Sequence, residues 1–107
     1  MMINEKNSRR KAYGKPTVAI NKHGTFLINK QAANTLGVSE GSRLAIEKVK
    51  KDIFFRHDPE NGFALKIDPN GMLRFTSIMA AKSVVGARVL DKTYRFEIEP
   101  ETYKINR

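Results

Sequence analysis

The chain contains no cysteine. That excludes a disulfide framework and any thiolate metal site, and it fits a reducing compartment. No apolar run approaches the ~20 residues of a membrane-spanning helix. The opening residues MMINEKNSRRKAYGKP also lack the apolar stretch of a secretory signal, so a cytoplasmic location is expected. Histidine is scarce: His23 and His57 are the only two, both in turn-like stretches. No HExxH, P-loop or GxGxxG segment occurs, and the ligands of a zinc site are missing. Neither an enzyme, a metal centre nor a cofactor is expected. Glu97, Glu99 and Glu101 alternate with Phe96 and Ile98, so they read as one strand face. Paired carboxylates can do acid–base work, but nothing beside these three suggests a nucleophile or a cleft, and a solvated outer face is expected.

What the sequence has is positive charge, unevenly placed. Its 107 residues suit one domain with a modest core. The formal net charge is +9, and residues 1–51 carry a net +8 of it while residues 52–107 carry +1. A basic half points to a polyanion, most often nucleic acid. Residues 1–15, with Lys6, Arg9, Arg10, Lys11 and Lys15, read as a flexible basic arm able to lie along a phosphate backbone.

Residues 16–107 read as a single, mostly β domain with two short helices. Val18 and Ile20, then Phe26 and Ile28, alternate with polar neighbours around the turn Asn21-Lys22-His23-Gly24, which makes a hairpin. Asn29 caps a helix from Lys30 to Leu36 with Ala33 and Leu36 on its apolar face, and Gly37 ends it. Strands follow at Leu44–Val49 and Ile53–Phe55. The order then restarts after the turn His57–Gly62. Leu65 and Ile67, the turn Asp68-Pro69-Asn70-Gly71, and Leu73 and Phe75 make a second hairpin. Thr76 or Ser77 caps a helix over about 78–85 that ends at Gly86, and strands follow at Phe96–Ile98 and Tyr103–Ile105.

An offset of 47 aligns Ile20 with Ile67, Gly24 with Gly71 and Ala33 with Ala80. Two strand–strand–helix–strand–strand pseudo-repeats, about 17–56 and 64–105, are therefore expected. Such a unit is too small to close a core alone. Two can do so if their hairpins interleave across a pseudo-two-fold axis as a swapped-hairpin barrel.

The segment Lys22-His23-Gly24-Thr25-Phe26-Leu27-Ile28-Asn29-Lys30, followed by Ala33, Leu36-Gly37-Val38, Gly41 and Leu44, resembles the AbrB/MazE/MraZ group of swapped-hairpin DNA-binding domains. The resemblance covers about residues 17–56 and is echoed over 64–105. It implies double-stranded DNA as partner and a role in transcription regulation. The group's arginine after the glycine is Thr25 here and Met72 in the second copy, and Gln31-Ala32-Ala33-Asn34 lacks the arginine common in its helix. Arginine is the side chain best shaped for guanine edges, so its loss weakens base reading. Asn29 replaces a proline, and either can start a helix.

The expected function is non-enzymatic DNA binding through phosphate contacts. The candidate residues are Arg9, Arg10, Lys11 and Lys15 of the arm, with Lys22, His23, Lys30, Arg43 and Arg74. Lys22, His23 and Lys30 are expected nearest the groove. The alternative is a protein-interaction or assembly module on the same fold that has lost DNA reading. A homodimer or a protein partner is compatible with either.

Overall fold

The computed structural model describes residues 15–107. The arm residues Arg9, Arg10 and Lys11 lie outside the described residues. In chain order the elements are β1 (Thr17–Ile20), β2 (Thr25–Ile28), α1 (Lys30–Leu36), β3 (Arg43–Val49), β4 (Asp52–His57), β5 (Phe63–Ala64), β6 (Lys66–Ile67), β7 (Leu73–Thr76), α2 (Ile78–Val85), β8 (Tyr94–Ile98) and β9 (Ile105–Asn106). The protein is mostly β with two short helices, as the alternation required.

Two hairpin turns are wired alike. Asn21 Oδ1 accepts from the backbone N–H of His23 at 2.9 Å and of Thr25 at 3.0 Å. Asp68 Oδ1 accepts from Asn70 and Met72, both at 2.9 Å. A short polar side chain thus satisfies the turn's own donors. Each turn closes on a glycine in the left-handed region, Gly24 at φ 80° and Gly71 at φ 83°.

Both helices are short and depend on their caps and packing rather than on propensity. Asn29 Oδ1 accepts from Ala32 N at 2.7 Å, and Ser77 Oγ accepts from Ala80 N at 3.2 Å. Ser77 is therefore the second cap, while the Thr76 hydroxyl pairs with that of Thr25 at 2.9 Å. The buried face of α1 is Ala32 and Leu36, not Ala33 and Leu36, with Ala33 only partly covered. The i, i+4 pair lies closer to one line along the axis than i, i+3, so it is the pair turned into the core.

The strands form two antiparallel sheets, one of six strands in the order β6-β7-β2-β1-β8-β9 and one of three in the order β4-β3-β5. The hairpin β1–β2 lies between two strands from the later half of the chain, β8 beside β1 and β7 beside β2. In return β5 pairs with β3 of the earlier half. The core between the sheets and helices includes Phe26, Ile28, Leu36, Leu44, Phe55 and Val84, all fully buried. Phe26 stacks on Phe75 at 4.4 Å between ring centroids, and Phe63 stacks on the same Phe75 at 4.8 Å.

A closed barrel is not formed, contrary to the sequence expectation. The ring of ladders breaks at two seams. Residues 63–67 divide their pairing at buried Leu65: Leu65 N donates to Ser42 O at 2.9 Å while Lys66 has already turned to pair with Arg74. On the other side no ladder joins β4 to β9; β4 meets the residues just before β9 through the isolated bridge Phe54–Lys104 and the bond from Phe55 N to Tyr103 O at 3.0 Å. The expected strand at Tyr103 also begins later, since Tyr103 sits at φ 65°. Pro100 explains the rest. It cannot donate to a ladder, β8 ends at Ile98, and Glu101 lies in a turn. The three glutamates therefore do not share one strand face.

Candidate nucleic-acid interface

Residues paired directly across an antiparallel ladder project from the same side of the sheet. The ladders of the larger sheet align Lys66 with Arg74, Arg74 with Leu27, Leu27 with Ala19, and Ala19 with Arg95. This row crosses five strands on the face opposite the core. It carries three cations and no carboxylate. Ala19 is only 4% exposed, lying between its row neighbours Leu27 and Arg95. Flanking positions on the same face are Thr25 and Thr76 on one side and Thr17 on the other.

Acidic groups on this face are already engaged. Glu97 pairs with Lys15 at 3.5 Å, and the Asp68 carboxylate is occupied by its turn. Lys66, Arg74 and Arg95 take part in no ion pair or side-chain hydrogen bond among the described residues. Lys66 and Arg74 stand directly opposite one another, an arrangement that is unfavourable without a counter-charge. At the end of β8 the Tyr94 phenol donates to Asp91 at 2.9 Å, and that bond raises its pKa above the ordinary value.

The other candidates are dispersed. Lys22 and His23 are exposed at the β1–β2 tip, and Lys30 is exposed at the start of α1, beyond the opposite end of β2. They stand on opposite sides of the row, beyond the two ends of the β1–β2 strands, rather than beside one another. Arg43 is tied down, donating from Nη1 to Gly62 O at 2.9 Å. Arg74 lies within the row, projecting away from the core as its position between Leu73 and Phe75 implied. Lys66 and Arg95 were missed. The same alternation applies to both, since Lys66 lies between Leu65 and Ile67 and Arg95 between Tyr94 and Phe96. The signal that unites them is the cross-strand register, which pairs residues 66 with 74 and 19 with 95.

Among the described residues no cluster of three or more histidine, aspartate or glutamate side chains could share a metal ion. No helix among them is long and apolar enough to cross a membrane. Compared with protein-family models, curated proteins and solved structures, the chain matches none.

Proposed function

We propose that the protein is a cytoplasmic, non-enzymatic DNA-binding protein, a small transcriptional regulator built as a divergent, duplicated form of the AbrB/MazE/MraZ swapped-hairpin domain. Its contact surface is the outer face of the six-stranded sheet. The observation that carries this reading is the row Lys66, Arg74 and Arg95, cationic and without a carboxylate. Strands ~4.8 Å apart place Arg74 and Arg95 about 14 Å from one another. Duplex DNA presents a charge every ~1.7 Å of axis, so several phosphates fall within that span. Thr17 and the one hydroxyl of the Thr25–Thr76 pair that does not donate to the other add hydroxyl donors of the kind that contact phosphate oxygens. Lys22 and His23 flank the row on one side and Lys30 on the other. Because Thr25 and Met72 stand where the group has arginine, binding supplies affinity with little base reading.

Support for the duplication comes from wiring rather than identity. The two turns repeat their side-chain acceptor pattern at an offset of 47, His23 and Thr25 against Asn70 and Met72. The β2–β7 register is symmetric at that offset. Leu27 opposes its own counterpart Arg74, while Phe26 opposes Phe75, the counterpart of Ile28. Each half also lends the other a strand, β8 to β1 and β3 to β5. A pseudo-two-fold exchange of hairpins accounts for all three.

The test is fluorescence anisotropy of a labelled duplex across salt concentrations. The logarithm of the affinity should fall linearly with the logarithm of salt, and Arg74→Gln or Arg95→Gln should each reduce the slope by about one. Affinity indifferent to salt, or no binding at low salt, would overturn the reading. The second reading, a protein-interaction module, is favoured by an apolar groove between β3 and α2.

A further inference from the structure

A groove of about 290 Å³ runs between β3 and α2, lined by Ala45, Ile46, Lys48, Phe63, Met79 and Ala80, with Ser77 and Ser83 at its edge. Met79 is 84% exposed, far beyond what a core-filling methionine would show. Phe63 forms the far wall, and past it lies a second cleft of about 290 Å³ lined by Lys66, Arg74 and Thr76. This second cleft exists because residues 63–67 split their pairing between the sheets. Phe63 and Ala64 stay with β3, so the β6–β7 ladder stops at Lys66 and Arg74.

From these features we propose that the groove binds a short acidic, apolar peptide segment of a partner protein. Charge complementarity identifies the occupant. The two clefts, which share Phe63 as a lining residue, contain three cations, Lys48, Lys66 and Arg74, and no acidic residue. None of the three is in an ion pair among the described residues. Carboxylates of the peptide sit at these positions, and its apolar side chains rest on Ile46, Phe63 and Met79. The site shares Lys66 and Arg74 with the phosphate-binding row, and its apolar floor is what favours a peptide, because a nucleic-acid backbone has nothing to bury on Ile46, Phe63 and Met79. Methionine and an edge-exposed phenylalanine suit a surface that adapts to a bound side chain. The chain's own first 14 residues do not fit, since they hold Lys6, Arg9, Arg10 and Lys11 against a single Glu5.

A random displayed-peptide library selected on the full chain tests this, with the winning peptides labelled for anisotropy. Winners should combine Asp or Glu with large apolar residues. Met79→Asp and Lys48→Glu should each weaken them at least about fivefold. Val89→Asp, at a 70% exposed apolar position away from the groove, should not. Met79 and Lys48 are exposed, so both variants keep the fold, and circular dichroism checks that they do. Duplex DNA binding should persist in Met79→Asp, because Met79 lies outside the cation row, and this separates the apolar contact from phosphate binding. The proposal is overturned if nothing enriches, or if winners lack acidic residues or bind Met79→Asp as tightly as the unaltered chain. It is equally overturned if light scattering shows a dimer that Met79→Asp makes monomeric, which would assign the groove to a second copy.

Discussion

Gly24 and Gly71 occupy matching turns with nearly equal φ, yet their surroundings differ. A methyl group on Gly24 would stand 2.8 Å from Ile78 Cα, while one on Gly71 meets nothing within 4 Å. Gly24 O also accepts from Ser77 N at 2.9 Å, so the β1–β2 tip is docked against the start of α2. Left-handed backbone alone costs an alanine about 1–2 kcal/mol. Gly71→Ala should therefore lose about that much, and Gly24→Ala clearly more, because backbone must move to relieve the contact. Urea denaturation of both variants checks the order, and equal losses would show that the tip and α2 are not tightly docked. The turn residues themselves were readable, since Asn21 and Asp68 announce their own hydrogen bonds. The contact of Gly24 with Ile78 was not, because it joins positions 54 residues apart.

At the scale of elements, β6 and β7 carry a like-charge pair in direct register, Lys66 against Arg74. Nothing in the fold requires it, as both side chains leave the core. Exchanging one sign should help the free protein and harm phosphate binding. Lys66→Glu is expected to add about 0.5 kcal/mol of stability, the ordinary scale of a cross-strand pair. The gain should shrink as salt rises. Thermal unfolding at low and high salt, read beside duplex affinity, checks both halves of this statement. A stability loss in Lys66→Glu would mean that a contact other than the cross-strand charge decides the position. The strands, helices and caps were legible as elements, and the β8 terminus was not, because Pro100 and left-handed Tyr103 end the alternation that Glu99 and Glu101 appear to continue.

For the whole molecule, the decisive feature is that β1 and β2 take their outer neighbours, β8 and β7, from the other half of the chain. Residues 1–58 alone would expose both edges of that hairpin and one face of Phe26. Without β7 and β8 this fragment loses the partners that cover its core residues and cannot bury enough apolar surface to offset its chain entropy. It should not form a folded monomer, whereas mixing it with residues 59–107 should restore native ellipticity. Circular dichroism with size-exclusion chromatography reads the result. A compact, cooperatively unfolding monomer of 1–58 would refute the mutual dependence of the halves.

The sequence by itself determined the alternation, the turns, the first helix cap and the uneven charge. These are local matters, set by side-chain period and φ preference. Tertiary structure alone decided which cations stand together. Register between strands distant in the chain brought Lys66, Arg74 and Arg95 into one row, and the divided pairing at Leu65 opened the groove beside Phe63 and left the barrel unclosed. Both depend on long-range pairing, whose geometry is fixed only once the whole core has packed.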